Sequence, residues 1–427
     1  MTRCSFRLLS CVLALAVLCF MFGPGAGKVT AAEKVIKIGT LFPLTGPVAN
    51  AGQRCQAAVV TAVEIINGEH PNVNMPWAKN KKGLLNGYKI ELVHADSQGK
   101  PDVGKTEAER LINQEGVWAL IGSYNSSVSG PASLVAERAK KIFMCGASSS
   151  SALTKRDLNY FFRLAPTDET ESAEFIDVLK WLNAKHKANI KTIGIIYENT
   201  LFGKGASGEA KKAAAAAGFK VVTDVPFTPG ATNLNSEVQT IKKANPDALF
   251  GAVLGADYSL MVKTMKQANW APKMSINYCS GYQDPVIAKQ LGKDADYFMG
   301  SNAYTPQFAG LMPSVAAVEK IFKTKTKGVP FDGDSIQEAV AMIVLAQAIE
   351  KAGSLDPEKV AKVLHSNTFN SPLSLGGKVA FAKGGQNVKA FSVVTQLQNG
   401  EYKRLYPSDL ADSKAKIVFP MPSWDKR

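Results

Sequence analysis

Short runs rich in Val, Ile and Leu recur along this chain, and each is followed by a segment with apolar residues at helical spacing. The runs are KVIKIGTLF, YKIELVHAD, VWALIGS, KIFMCGA, KTIGIIYE, FKVVTDVPF, DALFGAVLG and KMSINYC. Between them lie amphipathic stretches at 51–67, 101–115, 129–140, 168–187, 204–217, 232–244 and 256–269. Near-continuous apolar strands separated by helices predict parallel sheets covered on both faces.

The series runs once from 35 to about 147 and begins again at Lys191. Between the two, Pro166–Thr167–Asp168 stops one element and caps the next helix. The expected architecture is two doubly wound α/β lobes. Helices at 312–326, 334–352 and 356–366 return the chain to the first lobe. KVAFA and FSVVTQLQNGEYKRLY, with an Asn-Gly hairpin turn, return it to the second. The predicted domains are a signal peptide at 1–32, lobe 1 at 33–166 and 303–368, and lobe 2 at 167–302 and 369–427. Three crossings between lobes make a hinge.

The first residues do not belong to the fold. Arg3 and Arg7, the apolar LLSCVLALAVLCFMF and the small-residue GPGAGKVTAA have the order of a secretory signal peptide, with cleavage expected after Ala31 or Ala32. The apolar run is short for a membrane span. Cys19 raises lipid attachment as an alternative, but Leu18 stands where that signal wants a small residue. Losing Arg3, Arg7 and Lys28 takes the formal charge from +14 to +11. The lysines are scattered and no nucleic-acid-binding pattern appears, so a solvated basic surface is expected and no nucleic-acid partner. Cys55, Cys145 and Cys279 remain; Cys145 and Cys279 end apolar runs and read as buried packing. The four His are far apart and there is no CxxC or HExxH, so neither a metal nor a cofactor is expected.

Two turns carry the functional signal. LIGSYNSSVSGPA (120–132) and IFMCGASSSSALT (142–154) place hydroxyls at the mouths of neighbouring strands. Ligands of open α/β sheets bind there, against unpaired helix N–H groups. Ser126, Ser127, Ser148, Ser149 and Ser150 can hold a small carboxylate; alternatively they are caps and turn formers. GKGASG (203–208), with Asp224 following, matches a dinucleotide fingerprint, but ENTLF separates it from its strand, so its glycines are read as opening a loop and starting a helix. There is no nucleophile elbow. Asp96, Glu198, Asp257 and Asp284 lie near strand ends, unpaired in sequence, and nothing supports catalysis. Tyr124, Tyr197, Phe202, Tyr278 and Tyr282 are candidates to wall a pocket.

As an ordered set these segments resemble the solute-binding proteins of branched-chain amino acid ABC transporters, the type I periplasmic Leu/Ile/Val-binding group. IKIGTLFPLTGPVANAGQRCQAAVVTAVEIIN resembles that family's first strand, loop and helix, and NGYKIELVHADSQGKPDVGKTEAERLI its second unit. The serine turns resemble its ligand-gripping turns. IGIIYENTLFGKGASGEAKKAAAAAGFKVV and NPDALFGAVLGADYSLMVKTMKQANW continue the match. The resemblance implies an α/β fold of two Rossmann-like lobes with parallel sheets, joined by three hinge crossings, with the ligand buried between them.

It also implies roles. Ser126 meets a ligand carboxylate, Ala147 offers its carbonyl, Ser149 stands where the family often has Thr, and Phe202 where it often has Tyr. Tyr124, Ser148, Leu254 and Cys279 complete the candidate set. Two departures matter. Asn50–Ala51 replace an aromatic, and NYCSGY lacks the acid that often holds an ammonium; Cys279 is nearest, with Asp257 or Asp284 as substitutes. The resemblance therefore supports a carboxylate-bearing solute more firmly than leucine. The insert 68–87 is read as a surface loop. The expectation is a periplasmic, non-enzymatic protein that captures an amino acid or related carboxylate by hinge closure and delivers it to an ABC permease. A ligand-sensing receptor component and an exported α/β enzyme are the alternatives.

Overall fold

The computed structural model describes residues 34–75, 77–79, 83–312 and 314–427, with only the backbone of Cys279 and Ser280. The expected signal peptide and Cys19 lie outside the described residues.

The first lobe begins with β1 (Lys34–Phe42), α1 (Ala49–Ile66), β2 (Tyr88–Asp96), α2 (Pro101–Asn113), β3 (Ala119–Gly122), α3 (Ser126–Arg138), β4 (Ile142–Cys145) and β5 (Phe161–Arg163). Its strand order is β2-β1-β3-β4-β5. β1 with β3, β3 with β4 and β4 with β5 pair in parallel. β3 and β4 are buried along their whole length, which is why they read as unbroken apolar runs.

The chain then enters α4 (Asp168–His186), whose cap Thr167 accepts from the N–H of Thr170. It continues through β6 (Thr192–Glu198), α5 (Leu201–Ala216), β7 (Lys220–Phe227), α6 (Asn235–Ala244), β8 (Ala248–Ala252), α7 (Gly255–Gln267), β9 (Met274–Asn277), α8 (Cys279–Gln283), α9 (Pro285–Leu291) and β10 (Met299–Asn302). Here the order β7-β6-β8-β9-β10 repeats the winding of the first sheet, and all four pairings are parallel.

Three helices return to the first lobe: α10 (Val315–Lys325), α11 (Gly333–Ala352) and α12 (Pro357–Ser366). α11 buries fifteen of its twenty residues and packs on α1, β3 and β4. Each buried apolar side chain contributes about 1.5–3 kcal/mol as an upper bound. Then follow the small pair β11 (Thr368–Asn370) and β12 (Lys378–Ala380), and the antiparallel hairpin β13 (Val393–Gln398) and β14 (Glu401–Tyr406), which extends the second sheet beside β10.

Two expectations need correction. Residues from 369 were assigned to lobe 2, yet Gln386 pairs with Arg163, the Asn387 amide donates to Leu164 O at 3.1 Å, and the rings of Phe381 and Phe162 lie 5.2 Å apart. The third crossing therefore precedes β13. The insert 68–87 is more than a surface loop, because Val73, Met75, Trp77, Ala78 and Leu84 are buried in the first-lobe core.

Candidate functional site

The two sheets share an order whose switch point lies between β1 and β3 in one lobe and between β6 and β8 in the other. Crevices open beyond the carboxyl ends of strands at such points. A cleft with about 590 Å³ of free space, part of it open to solvent, lies beyond the carboxyl ends of β3 and β4 in the first lobe and of β6 and β8 in the second.

Its first-lobe wall is formed by the turns after β3 and β4: Tyr124, Asn125, Ser126 and Ser127 on one, Ala147 and Ser149 on the other. Ser126 opens α3, so its hydroxyl sits beside first-turn N–H groups that have no partner within the helix. The two turns are tied together. Ser126 Oγ accepts from Ser150 N at 3.3 Å, and the Ser148 hydroxyl donates to Tyr124 O at 3.0 Å and lies 2.8 Å from Ser129 Oγ. Behind them, fully buried Arg163 donates to Ser148 O, Ser150 O, Thr154 Oγ1 and Gln386 Oε1. Burial pulls its guanidinium down to about 10. Tyr124 has φ 74°, a left-handed conformation that costs a non-glycine residue about 1–3 kcal/mol and tends to occur at functional sites.

The second-lobe wall consists of Thr200 and Phe202 after β6 and Leu254 after β8. Thr200 caps α5 by accepting from Gly203 N. Phe202 meets Tyr278 edge-on, with ring centroids 6.3 Å apart. Glu198 holds the wall from within, its Oε1 accepting from Leu254 N at 2.7 Å; burial pushes its carboxyl up to about 8.

At the hinge side stand Pro166, Ala303 and Ser392 from the three crossings, with Glu171 from α4 and Asp334 and Gln337 from α11. Glu171 is 1% exposed and Asp334 5%. Glu171 Oε1 accepts from the Ser301 hydroxyl at 3.0 Å. Glu338, one residue beyond Gln337, accepts from Ala147 N at 3.1 Å, and burial pushes it up to about 8.

The lobes touch around the cleft. Arg54 on α1 reaches Asp284, the cap of α9, at 2.8 Å and Asp332, the cap of α11, at 2.7 Å. Gly205 brings α5 against the first-lobe turn so closely that a Cβ there would lie 2.6 Å from Asp168 Oδ2 and 3.4 Å from Ser150 Oγ. The GKGASG glycines thus lie inside α5, which starts at Leu201, and open no loop.

Of the sequence candidates, the cleft gathers Tyr124, Ser126, Ala147, Ser149, Phe202 and Leu254. Ser148 is elsewhere: it is 1% exposed and its hydroxyl is spent on the turn. Cys279 opens α8, and its side chain is outside the described residues. Neither substitute acid lines the cleft, because Asp257 accepts from Gly230 N and Asp284 is bound to Arg54. Tyr282 is buried against Thr395. Sequence reasoning missed Glu171, Thr200, Asp334 and Gln337. The only signal for the acids was their place beside the crossings, in PTDETE and FDGDS. Cys55 and Cys145 are free and buried. Among the described residues, no group of three or more His, Cys, Asp or Glu is arranged for a metal, and no helix is long and apolar enough to cross a membrane.

Comparison with known proteins bears on this geometry. Residues 35–401 match the periplasmic binding protein family model. Leu/Ile/Val-binding protein homolog 8 of Brucella abortus (strain 2308) is 26% identical, covering 91% of this chain and 94% of the relative. A leucine-, isoleucine-, valine-, threonine- and alanine-binding protein of Pseudomonas aeruginosa is 27% identical over 84% of this chain and 89% of its own. In fold, a leucine binding protein from Thermotoga maritima MSB8 aligns with TM-score 0.73 at 21% identity, covering 88% of this chain and all of its own. A solute-binding protein from R. palustris in complex with benzoate aligns with TM-score 0.74 at 18% identity, covering 87% and 95%. Two lobes wound alike, three crossings and one cleft at the strand ends thus accompany a match spanning most of the chain, which belongs to the periplasmic binding protein family.

Proposed function

We propose that this protein is exported to the periplasm, captures a small amino acid or related carboxylate-bearing solute between its lobes, and delivers it to an ABC transporter permease. Lobe 1 comprises residues 33–166 and 303–391, and lobe 2 residues 167–302 and 392–427. The protein is a carrier and not an enzyme. The observation that carries this reading is the cleft itself, in which Ser126 and Ser149 from one lobe face Phe202 and Leu254 from the other. A ligand touching both walls stabilises the closed state over the open one, and that differential contact is what drives hinge closure. Relatives named for Leu, Ile and Val binding, and neighbours bound to isoleucine and to benzoate, support this solute range.

The test is titration calorimetry after a thermal-shift screen, since a ligand that binds only the folded state raises its stability. Ser126→Ala and Ser149→Ala should each weaken binding by about 1–3 kcal/mol. Wild-type affinity in both variants would place the ligand elsewhere.

A further inference from the structure

A second cavity adjoins the cleft. It has about 420 Å³ of free space, partly open to solvent, between the first turns of α11 and the chain around β11 and β12. Its lining is mainly aliphatic: Leu164, Ile336, Val340, Leu373 and Leu375 are buried there, and Phe391 is half-buried. Pro166, Ala303 and Gln337 line both spaces and stand between them. With the lobe bounds proposed above, every residue around this pocket falls in the first lobe, whereas the cleft takes a wall from each.

A gap that served packing alone would be filled by its own side chains, because protein cores leave few voids larger than a water. The polar groups around this one divide into spent and unspent. The Asn387 amide donates to Leu164 O, and its carbonyl accepts from Ala380 N and Lys389 N. Ser374 Oγ lies 2.6 Å from Ser371 Oγ. Gln337 Oε1, by contrast, is buried with no hydrogen-bond partner among the described residues, and a buried polar atom left so calls for a solute or a water. Lys378 and Lys389 also line the pocket and are exposed. Lys378 Nζ donates to a neutral acceptor, Asn370 Oδ1, and among the described residues no Asp or Glu lines the pocket. An aliphatic floor beside two ammonium groups fits an apolar body with an anionic head.

We propose that this pocket is a second binding site, separate from the cleft, for a small amphipathic anion with an aliphatic body. The anionic head meets Lys378 and Lys389, and the body lies against Val340, Leu373 and Leu375. The site is complete within one lobe, so its occupant needs no hinge closure. The proposal goes beyond the carrier reading, which concerns the cleft and its serines.

The test is calorimetry on the wild-type protein with octanoate, and with octylammonium as the same chain carrying the opposite charge. Octanoate should bind about tenfold more tightly, the margin that two exposed ion contacts supply together. Lys378→Gln combined with Lys389→Gln changes exposed side chains only. It should remove that margin by weakening octanoate, with the unfolding temperature of the free protein unchanged. Ser126→Ala combined with Ser149→Ala should leave the octanoate site in place. Absence of octanoate binding, equal binding of the two probes, or octanoate affinity indifferent to both lysines would overturn the proposal. The two readings fail separately. Octanoate lost with the serines and not with the lysines lies in the cleft, which removes the second site and leaves the carrier. A lysine-dependent site that survives the serine variant stands whether or not a cleft solute is found.

Discussion

The two walls of the cleft are held in different ways. The first-lobe wall is a cross-linked cup: two serine turns joined to each other and backed by Arg163, which reaches four acceptors. The second-lobe wall is a plug of side chains on helix starts, and Glu198 tethers it through one backbone N–H. A preorganised donor set loses little freedom when a polar solute arrives, and apolar side chains opposite can close over whatever it holds. Polar recognition is thus expected from the cup and shape selection from the plug.

The contact joining the halves should show the largest effect. Arg54 sits between Asp284 on the second-lobe side and Asp332 on the first, with all three nearly buried. Removing one member of such a group leaves like charges buried together, at a cost of about 3–5 kcal/mol. Arg54→Met should therefore lower stability by that order in chemical denaturation and shift ligand-bound scattering profiles toward an open form. Unchanged stability would mean that the lobes do not depend on this link.

Arg163→Met should come next, by roughly 2–4 kcal/mol, because it takes the Arg163 donor from the buried Ser148 carbonyl and from Gln386 Oε1, and leaves the Ser150 carbonyl with Leu153 N. It should also weaken ligand binding although Arg163 does not line the cleft. A variant that loses stability but binds normally would show that the cup keeps its shape without its backing, and the contrast between the walls would fail.

Much of this was legible in the sequence, for physical reasons. The eight runs from KVIKIGTLF to KMSINYC all became strands; β3, β4, β8 and β9 are buried along their whole length, whereas β2 and β7 at the sheet edges are half-buried and were legible from their β-branched residues. The serine turns were legible as strand mouths, and their hydroxyls divide between tying the turns together and lining the cleft. The short β5 in YFFRLAP was missed, since three residues show no period. The hinge acids stayed hidden for another reason. Glu171 and Asp334 look like ordinary first-turn acids, and only the return of α11 to the first lobe brings them to one cavity. Ser148 and Ser149 stand side by side in the tetraserine, yet Ser149 lines the cleft while the Ser148 hydroxyl turns inward to Tyr124 O, a difference that sequence alone does not show.

The smallest expected effect concerns the tether of the plug. Burial pushes Glu198 up to about 8, so in the fold it keeps its proton well above pH 4.3, near which an unfolded glutamate ionises. A group raised in the folded state contributes stability that is complete below the unfolded value and lost as pH climbs through the folded one. Glu174 and Glu338, both pushed to about 8, and Asp168, pushed to about 7, act in the same direction. Asp247, held at about 2 with Lys273 and Thr192 as partners, is ionised throughout and adds no slope above pH 5. His94, lowered by burial, opposes the trend weakly near its own titration. Stability should therefore fall from pH 5 to pH 8. Glu198→Gln mimics the protonated form and keeps an oxygen for Leu254 N, so it should match wild type within about 0.5 kcal/mol at pH 5. Its advantage should then grow with pH, by at most about 1.4 kcal/mol per unit. Parallel curves for the two proteins would mean that Glu198 is already ionised in the fold, and that a charge, not a neutral carboxyl, tethers the second wall.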